Sequence, residues 1–206
     1  MNTIFTIERE FASGGHEIGR KLAGQLNIPF YDRKIVLGEV KEHDMSQELR
    51  KAVAESENGD ILKLKHGNAG RLLNPNTEEA IYAELFLLQS QIIKRAAQEG
   101  SCIIVGCCAD FVLRERENVF SVFIHADQFS RMERAVEEYG MNPEYAAEYL
   151  VKRDHQRADY RLQFTDRQWA DLENYCLTVD TSYIGPEQAV GHICGAAEKR
   201  VVRSIR

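Results

Sequence analysis

Three observations predict an α/β layer architecture for this chain of 206 residues. Short, almost wholly apolar runs, such as 102–105 and 119–124, fit strands covered on both faces, as in a parallel sheet. Between them lie longer segments whose apolar residues recur three and four apart, the spacing of a one-sided helix. The chain also opens with a β-rich run that passes through a small-residue turn directly into a helical pattern.

Thr3-Ile4-Phe5-Thr6-Ile7 forms the first expected strand and stops at the charged Glu8-Arg9-Glu10. After the turn Ala12-Ser13-Gly14-Gly15, a helix should place Ile18, Leu22 and Leu26 on one face. Asn27-Ile28-Pro29 ends it, because the residue before proline resists helical angles. Phe30-Tyr31 is a short strand entering Asp32. Residues 35–57 read as helical, with Met45, Leu49 and Val53 aligned. Residues 58–75, with Gly59, Gly67, Gly70 and Pro75, read as an irregular insertion. Asn76 is the expected N-cap of the next helix, with Glu79 as its capping-box partner. That helix aligns Ile81, Leu85, Leu88, Ile92 and Ala96 and stops at Gly100. A further helix is expected over 128–139, ending at Gly140. Asn142-Pro143-Glu144 then opens another: cap, first-turn proline, and an acid at the positive dipole end. Leu177-Thr178-Val179 is the last expected strand. The final helix turns Ala189, Ile193 and Ala197 inward and carries Lys199, Arg200, Arg203 and Arg206.

The length suits a single domain. With 44% apolar and 28% charged residues, the whole chain is neither disordered, collagenous nor coiled coil. A net charge of −6 and a pI near 5.6 disfavour a broad electrostatic grip on nucleic acid. No apolar run reaches the length of a membrane span, and the N-terminus lacks the pattern of a secretory signal. Five cysteines without a C-x-x-C spacing argue against a disulfide framework and a structural zinc. The expectation is a cytoplasmic protein with reduced thiols, no membrane association and no nucleic-acid partner.

Three segments carry candidate chemistry. The first is the turn with Ser13, Gly14, Gly15, His16 and Glu17. Glycines let backbone amides converge, and a helix start adds unpaired N–H groups, so phosphate can bind there. The turn is not a true Walker A loop: with Gly14 as its last glycine, Gly15 stands where lysine is required and Glu17 near the hydroxyl position. Arg9, His16 and Arg20 are the cations that could substitute. An ordinary strand-to-helix turn, using glycine for close packing, fits the same spacing. The second segment places Arg153, Arg157 and Arg161 on one helix face. They could clamp a polyphosphate, or they could be a solvated face paired with Asp154 and Asp159. In the third, Asp110 follows an apolar strand as Asp32 follows Phe30-Tyr31. Each could hold magnesium, bind a sugar hydroxyl or orient an acceptor, or simply form a turn. Cys107 and Cys108 read as buried filler.

The opening R-E-F-A-S-G-G-x-E-I-G-R-K-L-A, followed by I-P-F-Y-D, I-I-V-G-x-C-A-D-F-V-L, V-F-I-H-A and V-D-T-S, resembles the cytidylate-kinase-like proteins, relatives of the P-loop nucleoside monophosphate kinases. The resemblance spans nearly the whole chain. It implies a five-stranded parallel sheet in the order 2-3-1-4-5 flanked by helices, a monophosphate-binding insertion over 35–75 and an arginine-bearing lid over 140–168. It implies transfer of the ATP γ-phosphoryl, with Mg²⁺, to a nucleoside monophosphate, CMP or dCMP by default. Donor phosphates would rest on Ser13, Gly14, Gly15, His16 and Glu17; Arg153, Arg157 and Arg161 would act in catalysis; Tyr31, Asp32 and Asp110 would face the acceptor. The loop Asp180-Thr181-Ser182 would lie near the donor base. The resemblance implies that the missing loop lysine is a general trait of this branch; the chain itself departs at Cys107, where the branch usually has arginine, and at His16, where arginine is frequent. A catalytically silent nucleotide or phosphate sensor is the second reading. A partner-binding domain that dimerises through the C-terminal helix is the third.

Overall fold

The computed structural model describes residues 2–43, 45–57 and 77–204. Five strands, β1 (Ile4–Arg9), β2 (Phe30–Asp32), β3 (Cys102–Val105), β4 (Val119–His125) and β5 (Leu177–Asp180), form one parallel sheet. Their spatial order is β2-β3-β1-β4-β5, as expected. β1 is central, and Ile7 lies level with Val105 on one side and Val122 on the other.

The continuous apolar runs follow from helices on both faces. Side chains alternate along a strand. Phe5, Ile7, Ile103, Val105, Val122 and Ile124 therefore face α1 (Gly15–Leu26) and α8 (Pro186–Ser204). Ile4, Cys102, Ile104 and Val119 face the other way, onto α4 (Glu78–Glu99) and α5 (Ala109–Val112). α8 buries Ala189, Ile193 and Ala197 as its spacing predicts.

The helical run expected over 35–57 is in fact two helices, α2 (Arg33–Val40) and α3 (Gln47–Glu57). In an unbroken helix Val40 and Leu49, nine residues apart, would point about 180° apart. The break lets both enter one core with Leu85 of α4. α4 is capped by Thr77 rather than Asn76: the Thr77 hydroxyl accepts the Ala80 N–H at 3.2 Å. Asn76 and the irregular insertion expected over 58–75 lie outside the described residues. α6 (Gln128–Glu137) starts at Asp127, whose carboxylate accepts the Ser130 N–H. α7 (Pro143–Thr165) starts at Asn142, whose side chain accepts the Glu144 N–H, with Pro143 first in the helix. Among the described residues no helix is long and apolar enough to cross a membrane.

Two glycines of α1 make a contrast. A Cβ on Gly19 would lie 2.9 Å from Val105 Cγ2 and 3.2 Å from Phe30 Cε2, whereas one on Gly24 would meet nothing within 4 Å. Gly24→Ala is expected to stabilise by about 0.5–1 kcal/mol through helix propensity. Gly19→Ala should lower stability by about 1 kcal/mol, overpacking outweighing the same gain. Urea denaturation of the two variants should show shifts of opposite sign.

Candidate functional site

β1 and β4 are neighbours whose connections leave in opposite directions, toward β2 and β5. The crevice beyond their carboxyl ends is where such sheets collect ligands. The turn from β1 to α1 sits there. Ser13 is fully buried, and its hydroxyl reaches the carbonyls of Glu10 (2.9 Å) and Ile124 (3.1 Å). Ala12 and Gly14 both take left-handed angles, φ 59° and 80°.

Five successive carbonyls of this turn are each claimed by a side chain. Arg157 Nη1 donates to Arg9 O at 2.7 Å, Ser13 Oγ to Glu10 O at 2.9 Å, and Arg131 Nε to Phe11 O at 2.9 Å. Arg134 Nη1 donates to Ala12 O at 2.9 Å and Thr181 Oγ1 to Ser13 O at 2.8 Å. In a planar trans peptide the N–H points opposite to the carbonyl. Fixing the carbonyls thus fixes the amides. Those of Glu10 and Phe11 go to Ile124 O (2.9 Å) and Asp154 Oδ1 (2.7 Å). Those of Gly14, Gly15, His16 and Glu17 open α1, where no intrahelical acceptor exists, and the N-cap Gly14 supplies no side-chain cap. Unpaired amides and the positive end of the helix dipole together can hold an anion at such a turn. The Glu17 side chain itself turns to Lys21, 3.6 Å away.

A hollow of about 60 Å³ lies beside the turn, lined by Glu8, Arg9, Arg33, Arg153, Arg157 and Arg161 together with Cys107 and Cys108. The three arginines expected on one face of α7 all line it. Their surroundings differ. Arg161 is 1% exposed and makes a bidentate pair with Asp110, at 2.9 and 2.7 Å. Arg157 stands 3.9 Å from Asp154, and burial, then the charge of Arg9, pushes its pKa well below the ordinary guanidinium range. Arg153 lies near the rings of Phe11 and Tyr149. Glu8 accepts N–H groups from Cys108 and Trp169, both at 3.3 Å. Burial raises both thiols, so Cys107 and Cys108 are poor nucleophiles.

Tyr31 and Asp32 do not line this hollow. Tyr31 packs against the cores around α4, and burial raises its phenol. Asp32 caps α2 through Ile35 N–H (2.9 Å) and bonds His16 Nε2 at 2.9 Å. The His16 hydrogen bond is the chief reason its pKa falls to about 2. A second hollow, of about 310 Å³, adjoins the turn through Arg134 and Thr181, with Ser182 and a Tyr183 that is 90% exposed. Among the described residues no group of three or more metal-ligating side chains gathers.

Arg33, Arg131, Arg134 and Asp154 were not candidates from sequence. Asp154 is the latch of the site: besides the Phe11 amide it holds Arg131, which also pairs with Glu10 at 2.9 Å. The one available signal was Arg131 and Arg134, three apart just after the cap at Asp127 that follows an apolar strand.

Two measurements check these contacts. Asp110→Asn strands the buried Arg161 charge and should cost about 3–5 kcal/mol in urea unfolding, while Asp110→Leu with Arg161→Met recovers most of it. Asp32 has a depressed folded pKa of about 2. Its contribution is therefore full above the unfolded value of about 4 and is lost as pH falls toward the folded value. The stability difference between wild type and Asp32→Asn should shrink over that window.

Comparison with known proteins extends this picture. An uncharacterized protein from Eubacterium ventriosum is similar over 95% of this chain and 98% of its own, with 23% identity and a TM-score of 0.70. A gluconokinase from Sinorhizobium meliloti matches over 96% and 93%, at 14% identity and a TM-score of 0.55. A shikimate kinase from Bacteroides thetaiotaomicron matches over 96% and 99%, at 13% identity and a TM-score of 0.51. These likenesses establish a P-loop kinase fold. No curated protein sequence matches significantly. The profile of one family, described as the cytidylate kinase-like family, matches residues 4–183, and the chain belongs to that family.

Proposed function

We propose that the protein is a nucleotide-kinase-type phosphotransferase that moves the γ-phosphoryl of ATP to a nucleoside monophosphate. The observation that carries this reading is the turn into α1: five side-chain bonds fix its carbonyls from Arg9 to Ser13, and the helix start leaves the amides of Gly14 to Glu17 without intrahelical acceptors beside an arginine-lined hollow. Amides and arginines suit a triphosphate chain. The absence of a three-ligand cluster among the described residues is compatible with Mg²⁺ carried mainly by phosphate oxygens. When bound, Mg²⁺ would offset phosphate charge.

Every other contribution is positioning and electrostatics. The donor phosphates lie along Ser13, Gly14, Gly15, His16 and Glu17, with the donor base in the hollow at Thr181, Ser182 and Tyr183. Arg153 and Arg157 neutralise charge on the moving phosphoryl group. Arg161 holds Asp110 on the acceptor side, and the His16–Asp32 pair, with Tyr31 behind it, bounds that side near β2. CMP or dCMP is the acceptor by family membership, received by the insertion over 35–75, and the segment over 140–168 covers the site.

A second reading is a nucleotide sensor without turnover. It is favoured by Gly15 at the lysine position and by the protein groups already holding Arg157 and Arg161.

Purified protein with MgATP and a panel of nucleoside monophosphates should yield the corresponding diphosphates. Binding of ATP without product would select the sensor. Arg157→Ala should cut turnover by roughly 100-fold, against a stability loss of about 1–2 kcal/mol from one hydrogen bond. An unaltered rate would remove Arg157 from the site.

A further inference from the structure

Gly15 has no backbone reason to be glycine. Its φ is not in the left-handed region, and it lies in the first turn of α1. What forbids a side chain is Arg9: a Cβ on Gly15 would lie 2.6 Å from Arg9 Cβ and 2.9 Å from Arg9 Cγ. Alternation along β1 puts Arg9 on the same face as Phe5 and Ile7, directly beneath the start of α1. Its stem crosses Gly15, and its guanidinium ends against Gly106, beyond the end of β3. Lysine at 15 and arginine at 9 thus exclude one another sterically. The position where a Walker A loop needs lysine is vacated so that a cation from the preceding strand can pass.

The far end of that path is charged for an anion. Of the described residues lining the small hollow, five are arginines and one, Glu8, is acidic. Arg161 is consumed by Asp110. Arg33 keeps a buried Nε without a partner and lies over the Tyr160 ring. Like charges enclosed in so small a space repel one another unless an oxyanion joins them.

We propose that Arg9 is the phosphate cation of this site, threaded through the space that Gly15 leaves open, and that with Arg33 it holds a phosphate-type oxyanion in the hollow. The proposal rests on the phosphotransferase reading and deepens it. The oxyanion belongs either to the donor's terminal phosphate or to the acceptor monophosphate. Both offer the same chemistry.

Calorimetry on the full chain separates these sources, with two probes: the Mg²⁺ complex of the β,γ-imido analogue of ATP, and CMP. Arg9→Gln should weaken one of them by about tenfold or more, the loss of one charge-assisted hydrogen bond. Loss for the imido analogue assigns the donor phosphate, and loss for CMP the acceptor. The double variant Arg9→Gly, Gly15→Lys should restore affinity to within about threefold, since it returns the cation by the other route. Wild type that binds both probes, with Arg9→Gln folded and binding both equally well, overturns the proposal and leaves the kinase reading intact. Wild type that binds neither probe overturns both. Should Arg9→Gln lose its cooperative urea transition, the folded double variant decides: tight binding upholds the proposal, and lost binding overturns it.

Discussion

Peptide planarity governs this site. A turn of five residues keeps one backbone orientation only if its carbonyls and amides find partners, and an unsatisfied buried carbonyl is costly. Here the outward partners come from α1's own lead-in (Ser13), from α6 (Arg131, Arg134), from α7 (Arg157) and from the loop after β5 (Thr181). Elements far apart in sequence converge on one short stretch of backbone. The left-handed Ala12, a conformation that costs a non-glycine residue about 1 kcal/mol or more, is held by that convergence.

The same arrangement divides labour among the arginines. Arg131 and Arg134 shape the turn and Arg161 fixes Asp110, so their charges serve positioning. Arg9, Arg33, Arg153 and Arg157 gather at the small hollow, with Glu8 as the one acid among its described lining residues. Arginine suits both duties because its planar fork can donate to a carbonyl on one edge while another edge stays available for an oxyanion.

The sheet was legible because buried parallel strands announce themselves as apolar runs: 102–105 and 119–124 match β3 and β4 almost residue for residue. The start of α7 was legible for the same local reason, with Asn142, Pro143 and Glu144 carrying the cap chemistry themselves. The division between α2 and α3 was not, since no glycine or proline lies between 40 and 47 and the break serves a tertiary contact at α4. The turn stood out through its glycines, and α7 through the spacing of its arginines. The duties of those arginines did not, because an arginine bonded to a distant carbonyl has the same sequence as one in water. Arg9 is the sharpest case: the sequence offers it beside His16 and Arg20 as a substitute cation without choosing among them, and only the collision at Gly15 gives it a direction.

Asp154 ties the middle of α7 to the Phe11 amide and to Arg131. These contacts join the helix to the turn in the same structure in which its arginines face the small hollow. Like charges are thus crowded around one small space, and an oxyanion in the role proposed above would relieve that crowding. Filling that space would then raise the resistance of the whole fold to unfolding by mass action.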